Sequence, residues 1–547
     1  YYAQRYSMTD DFPFAEINVF QLGLYAQDKW TVSDKLNLTL GLRIDVPFFM
    51  TDLQSNDKVA AETYRDGIKI DVSKYPNAKP QFSPRFGFNY KPFDDENGSL
   101  QIRGGTGLFT GTPPYVWISN QAGNNGVLFG DLNVRAVKDK NDNIISDGRP
   151  SLGFTGNMDT YKPAEGSATR SDIAITDPDF KYPSLWKSNI AADYKFGDGW
   201  VATVELLYSK DINAIYHDNI GLYRTEQFVN DGGAGNARPY YNGYYSDREG
   251  NQKAANHVVM LRNTSKGHSL YTTFQLQKNF VDGILKGLYL NGSYSFGQSR
   301  GVTDGTSSVA TSAWKYREAL DGNAEEVGYT AGSFDGRLLL SASYTANWSK
   351  YAATSFGLIY QRYRPFRYSY CYNGDANGDS QFSNDLMYIP ANFDEVKDHL
   401  LPGDFDSQED AWKAMNAFIE QDPYLSKHRG EYAERNGAVA PFANQLDLSV
   451  SHDIKIYQKN GRSHTLRFSF NIANFLNLLN RNWGVVQTTV LGNQQYQFLT
   501  IPKGQGPSAA NNYTLKYTMA KDLDETFKDN LNDVSRWQMQ FGIKYIF

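Results

Sequence analysis

The sequence predicts an all-β protein, a transmembrane antiparallel β-barrel with long extracellular loops, and three observations predict it. Apolar and polar residues alternate with a period of two over runs of roughly ten residues. Short and long connections alternate strictly between those runs. The final residues, Trp537 to Phe547, carry aromatic and aliphatic side chains on one face as far as the C-terminal Phe547.

Composition narrows the class. A chain of 547 residues would ordinarily divide into three or four soluble domains, yet Pro, Gly and charge are scattered and no low-complexity linker marks a boundary. Aromatic residues make up 15% of the chain, led by 38 Tyr, which suits a protein whose rings sit at two membrane–water interfaces. Cys371 is the single cysteine, so no internal disulfide forms. A net charge of −6 gives no basic footprint, and no nucleic-acid partner is expected. No run of ~18 apolar residues exists, which excludes a transmembrane helix. The chain opens on Tyr1–Tyr2–Ala3–Gln4–Arg5, a polar start unlike a signal peptide.

The alternation defines the elements. Leu36, Leu38, Leu40, Leu42 and Ile44 oppose Asn37, Thr39, Gly41, Arg43 and Asp45. Leu446, Leu448, Val450, Ile454 and Ile456 oppose Asp447, Ser449, Ser451, Asp453 and Lys455. Phe468, Phe470 and Ile472 oppose Arg467, Ser469 and Asn471, and Trp537, Met539, Phe541, Ile543, Tyr545 and Phe547 oppose Arg536, Gln538, Gln540, Gly542 and Lys544. Such runs exceed the ~5–6 residues of globular strands and reach the ~9–11 that cross a bilayer. The apolar face then meets lipid and the polar face the lumen.

Tight links are read at Ser33–Asp34, Asp94 to Gly98, Gly197 to Gly199, Asp282–Gly283, Trp348 to Lys350 and Lys459 to Gly461. Long polar stretches lie between them, near 50–80, 110–180, 216–266, 300–334, 368–442 and 477–533, longer than compact soluble domains carry. A count of about 13 strands is odd, where complete bacterial barrels have even numbers. The first strand, Val19 to Trp30, runs toward a short turn and the last ends on the short-turn side. The chain therefore reads as the C-terminal part of a larger barrel.

Leu22 to Trp30, followed by Leu38 to Asp45, resembles the paired-strand signature of TonB-dependent outer-membrane transporters. Phe82–Ser83–Pro84–Arg85–Phe86–Gly87–Phe88 and Arg103–Gly104–Gly105–Thr106–Gly107–Leu108–Phe109 continue it. Pro183–Ser184–Leu185–Trp186, Phe334–Asp335–Gly336–Arg337 and Pro441 to Asp447 resemble the Oar-like branch common in Bacteroidetes-type bacteria. Asn471 to Asn477 and Ser535 to Phe547 complete a set spanning nearly the whole chain. The resemblance implies a 22-stranded barrel with a plug domain, of which residues 1–547 would be the C-terminal portion. A signal peptide, a carboxypeptidase-regulatory-like domain, the plug and the first nine or so strands would lie upstream. It implies transport of a bulky solute such as a peptide or glycan across the outer membrane of a Gram-negative bacterium, with no enzymatic step. The implied partners are TonB-ExbB-ExbD, outer-membrane lipid and lipopolysaccharide, the barrel-assembly machinery and surface lipoproteins. Two other classes stay open: a passive outer-membrane channel, and a secreted β-rich glycan-binding or hydrolytic protein.

The sharpest local motif is Asp375–Ala376–Asn377–Gly378–Asp379–Ser380–Gln381, with Asp385 beyond it. Oxygen side chains at positions 1, 3 and 5 match the start of an EF-hand-like calcium loop. Ser380 replaces the usual Gly, and Leu386 stands where the bidentate Glu belongs, with Asp385 one residue early. Asp375, Asn377, Asp379, Gln381 and Asp385 are thus a candidate calcium set, to be weighed against an Asn/Asp/Gly turn that binds nothing. Tyr240 to Tyr245 and Pro113 to Trp117 fall in outer loops, where packing of the loops or an interfacial position is favoured over ligand stacking. Glu409 to Gln421 spaces Trp412, Met415 and Ile419 as a helix would. The seven His are scattered without metal spacing, His452 and His464 fall on strands, and Gly104 to Gly107 is a strand rather than a phosphate loop. Cys371 has no His placed beside it by a motif, so no catalytic residue is assigned. The last strand must pair with the first strand of the closed cylinder. Its Trp537, Phe541, Tyr545 and Phe547 resemble the signal read by the barrel-assembly machinery.

Overall fold

The structure is a computed structural model that describes residues 2–8, 14–96, 98–134, 137–138, 144–145, 157, 160, 171–233, 237–457, 463–491 and 495–547. Asn97 in one tight link and the Lys459 to Gly461 link lie outside the described residues. Among the described residues, thirteen long strands make one sheet in which each pairs antiparallel with its sequence neighbour among them. They are β1 Val19–Ser33, β2 Leu36–Phe49, β3 Gln81–Asp95, β4 Gly98–Thr110, β5 Ser184–Phe196, β6 Trp200–Asp211 and β7 His268–Asn279. β8 Leu288–Gly301, β9 Arg337–Ser349, β10 Ala352–Tyr363, β11 Ala443–Tyr457, β12 Ser463–Ala473 and β13 Gln538–Ile546 follow. A two-residue strand, Gly328–Tyr329, adds to the loop end of β8. The expected strand number and the expected order of short and long connections are both present.

The register aligns side chains of like polarity across strands. Leu358, Leu448, Ile472 and Met539 form one row, and Phe356, Val450, Phe470 and Phe541 the next. On the opposite face Gly357, Ser449, Asn471 and Gln540 are aligned, as are Ser355, Ser451, Ser469 and Gly542. A shift by one residue would exchange the two faces, so the alternation itself fixes the register. The apolar rows are open to solvent in the isolated chain, including Leu40, Leu42, Leu206, Phe274, Leu340, Phe356 and Ile543. An apolar face of this extent needs a nonpolar covering, which hydrocarbon provides. Trp30, Trp348, Tyr351 and Tyr194, all exposed, cluster toward the short-link end, where interfacial aromatics are expected. In the β5–β6 link Gly199 has φ +80°, and a Cβ there would meet Asn279 O at 2.3 Å, so only glycine fits.

The buried core lies in the long loops. Tyr368, Tyr370 and Tyr372 of the strand Arg367–Asn373 pack with Tyr496 and Phe498 of the strand Gln495–Thr500, which runs parallel to it. These loop strands, and the pairing of Gln495–Thr500 with Thr518–Met519, add no span to the main sheet. Two loop helices are α1, Tyr115–Gly123, and α2, Gln408–Gln421. The expected amphipathic helix is α2. Ser407 caps it by accepting the Asp410 N–H at 3.1 Å, as an N-cap hydroxyl does, and Ala411, Met415, Phe418 and Ile419 are buried. Trp412 is half-buried with its ring 6.1 Å from Phe393.

Candidate functional site

The polar face of the sheet carries paired charges. Arg103 Nε donates to Asp193 at 2.9 Å, and its Nη1 lies 3.7 Å from Glu205. Thr203 donates to the other Asp193 oxygen at 2.7 Å. Arg467 binds Asp453 in bidentate fashion at 2.6 and 2.8 Å, and Arg43 binds Asp45 likewise at 2.8 Å through two nitrogens. Such forks hold planar groups in fixed geometry, and they stand on the face opposite the apolar rows.

Above β10 the chain enters the acidic loop that the sequence singled out. Asp375 accepts main-chain N–H groups from Asn377 at 3.2 Å, Gly378 at 2.6 Å and Ser380 at 2.8 Å. Asn377 Oδ1 accepts the Asp379 N–H and Asp379 Oδ1 the Gln381 N–H, at 2.9 and 2.8 Å. The side chains wind the loop by satisfying its own amides. Asn377, Asp379, Gln381 and Asp385 are buried, and Gln381 Oε1 has no hydrogen-bond partner among the described residues. Asp385 accepts the Ala376 N–H at 2.9 Å and pairs with Arg238 Nη1 at 3.2 Å. Arg238 also binds Asp231 at 2.9 Å and the Leu386 carbonyl.

Burial pushes the Asp375 carboxyl up, against the pull of the amides it accepts. Asp379 is pushed well above the carboxylate range by burial and then by Asp385 and Asp375. Asp385 is pushed up to about 7 by burial, with Arg238 pulling it back. Among the described residues no group of three or more His, Cys, Asp or Glu side chains is arranged to hold a metal ion, so a cation here would draw on amide and main-chain oxygens as well. Arg238 carried no sequence signal, because its two carboxylate partners lie 7 and 147 residues away.

The other singled-out residues fall as follows. Tyr240 and Tyr241 are buried, and the Tyr241 hydroxyl donates to Asp321 at 2.6 Å. Trp117 in α1 donates to the Ser307 carbonyl at 2.8 Å. Both aromatic motifs therefore tie loop to loop. His452 Nδ1 lies 2.9 Å from the Thr354 hydroxyl on β10, and Gly104 to Gly107 run within β4. Burial pushes the Cys371 thiol well above its ordinary value, which leaves it protonated. Trp537, Phe541, Tyr545 and Phe547 are all exposed at the sheet's edge, and Tyr545 stacks on His464 at 5.7 Å.

A family described as outer membrane beta barrel domain matches residues 2–508. The chain belongs to that family. This outer-membrane β-barrel is an integral protein of the outer membrane. No curated protein matches it. Among solved structures it is similar to a mutant of the ferric enterobactin receptor PfeA from Pseudomonas aeruginosa, at 10% identity and TM-score 0.38, over 87% of this chain and 41% of that one. The siderophore receptor PirA from Acinetobacter baumannii gives 8% identity and TM-score 0.39, over 84% and 42% of the two chains. The FrpB iron transporter from Neisseria meningitidis gives 11% identity and TM-score 0.37, over 84% and 41%. The β-barrel described here thus spans less than half the length of each of these structures.

Proposed function

We propose that residues 1–547 form the C-terminal barrel wall of a TonB-dependent outer-membrane transporter of the Oar-like kind, which takes up a bulky solute such as a peptide or a glycan. The observation that carries this reading is the pair of sheet edges. β1 and β13 end the sheet and are not paired with each other among the described residues, while the span count is thirteen and closed single-chain bacterial barrels have even counts. An unpaired edge at hydrocarbon depth leaves amide and carbonyl groups unsatisfied. Further strands of the same polypeptide would complete the cylinder, with a plug inside it and an N-terminal contact to TonB-ExbB-ExbD. The motifs from Leu22 to Phe547 support the Oar-like assignment. Lipopolysaccharide, the barrel-assembly machinery and surface lipoproteins are its further partners in this reading.

The test is uptake of labelled peptides and oligosaccharides by cells expressing the native protein, with TonB active and with TonB deleted. Uptake should stop without TonB. Unchanged entry without TonB would favour a passive channel and overturn the proposal. Mass spectrometry of the native protein should also find peptides upstream of Tyr1, including a plug.

A second proposal concerns the acidic loop: Asp375, Asn377, Asp379 and Gln381, with Asp385 nearby, take a calcium ion. It is supported by the unpartnered Gln381 Oε1 and by oxygen donors at alternate positions of a tight loop. The hold of Arg238 on Asp385 stands against a full set.

A further inference from the structure

The loops that follow β8, β10 and β12 enclose a cavity of about 550 Å³. Its wall includes Arg317, Arg435, Asp304, Glu318, Asn436 and Gln495. Both arginines are almost wholly buried, 4% and 3% exposed. Each is held by neutral acceptors. Arg317 Nη2 donates to the Gly322 carbonyl, and Arg435 donates to the carbonyls of Val302, Gly301 and Gly328. Three nitrogens are left over: among the described residues Arg317 Nε and Nη1, and Arg435 Nε, have no partner.

The acidic groups on the same wall are already engaged. Asp304 accepts the Ala331 N–H through one oxygen and the Asn436 amide through the other, both at 2.9 Å. Glu318 Oε1 accepts the Gln495 amide at 3.0 Å, and burial pushes the Glu318 carboxyl up. Burial and the nearby Arg435 push the Arg317 guanidinium down, against the pull of Glu326, Asp218 and Asp321, none of which reaches it in an ion pair among the described residues. Two buried cations with unused donors beside a polar cavity ask for an acceptor that carries charge. Guanidinium planes match oxyacids bidentately.

We propose that this cavity binds an anionic oxyacid group of the solute, a carboxylate or a phosphate, with Arg317 and Arg435 as its cationic wall. The inference rests on the transport reading and names the chemical class of solute that the loops select. A peptide would offer its C-terminal carboxylate, and a glycan an acidic or phosphorylated sugar.

The native protein in detergent is titrated by calorimetry with acetyl-dialanine, with its C-terminal amide, and with inorganic phosphate. The free acid should bind at least tenfold more tightly than the amide. Competition by phosphate at comparable concentration would identify oxyacid recognition in general, and its failure to compete would restrict the site to carboxylates. Arg317→Gln and Arg435→Gln should each lose at least tenfold of acid binding, and Arg435→Lys should recover part of it. Because Arg435 also clamps loop carbonyls, Gln495→Glu is a second variant that adds negative charge to the wall, and it should weaken the acid and spare the amide. Equal binding of acid and amide by the wild type, or no binding of either anion, overturns the proposal. Binding in detergent needs no energised uptake. Loss of the TonB requirement with acid binding intact would therefore overturn only the transport reading.

Discussion

Arg238 and Asp385 meet across 147 residues of sequence, Nη1 to Oδ1 at 3.2 Å, with side-chain exposures of 0% and 1%. Asp231 lies on the other side of the guanidinium at 2.9 Å. One buried cation thus fastens the loop between β6 and β7 to the loop between β10 and β11. Replacing one member of a buried ion pair leaves an uncompensated charge and costs about 3–5 kcal/mol. Arg238→Met should therefore open both loops to limited proteolysis while the main sheet keeps its heat-modifiable migration. Cleavage at the wild-type rate would show that the triad does not hold the loops.

His217 predicts a pH dependence. It sits in the loop strand Ala214–Asn219 with its ring 5.9 Å from Trp117, and its Nε2 has no partner among the described residues. Burial, and then Arg317, depress its pKa to about 4. A His depressed on folding stabilises fully above its unfolded value near ~6.5 and loses that stability as pH falls through the folded value. Acidification from pH 7 to 4 should cost the loop layer on the order of 3 kcal/mol from this group, at 1.36 kcal/mol per unit. The wild type should become more protease-sensitive over that range, and His217→Phe should flatten the profile. The same slope in both proteins would remove His217 as its source.

Calcium should raise the protease resistance of the Asp375 to Asp385 loop, because a bound cation offsets the mutual repulsion of buried carboxylates. Asp375→Ala with Asp379→Ala should abolish that protection. Magnesium should protect less, since it demands a smaller octahedral shell. A wild type indifferent to calcium leaves a turn that is held only by its own amides.

The last strand should govern assembly. Phe541, Ile543, Tyr545 and Phe547 are exposed along β13 and just past its end, with Phe547 at 91%. Deletion of Phe547, or Tyr545→Asp with Phe547→Asp, should leave the protein degraded or in the periplasm on fractionation. Arg or Lys on a lipid-facing strand costs about 2–4 kcal/mol at mid-depth and less near the interface, and Asp costs less than either. The double substitution should therefore act through recognition more than through barrel stability. Normal membrane levels with heat-modifiable migration would contradict the signal.

The wall of this protein was written in the sequence because a strand's side chains alternate by geometry alone. Leu446 to Ile456 against Asp447 to Lys455 states both the strand and its two faces without reference to any distant residue. Link length then states the order, and α2 was legible for the same reason, since Met415 and Ile419 report a helical period. What the loops do with one another was not legible. Tyr368, Tyr370 and Tyr372 are buried by Tyr496 and Phe498 more than a hundred residues away, and period-2 alternation cannot tell a loop core from lipid. Nothing in the local sequence distinguishes Arg238, Arg317 or Arg435 from other loop arginines. Only tertiary structure removed them from water and set two carboxylates on the first and, among the described residues, none in ion-pair contact on the others, because burial and charge pairing depend on distances in space that spacing along the chain does not encode.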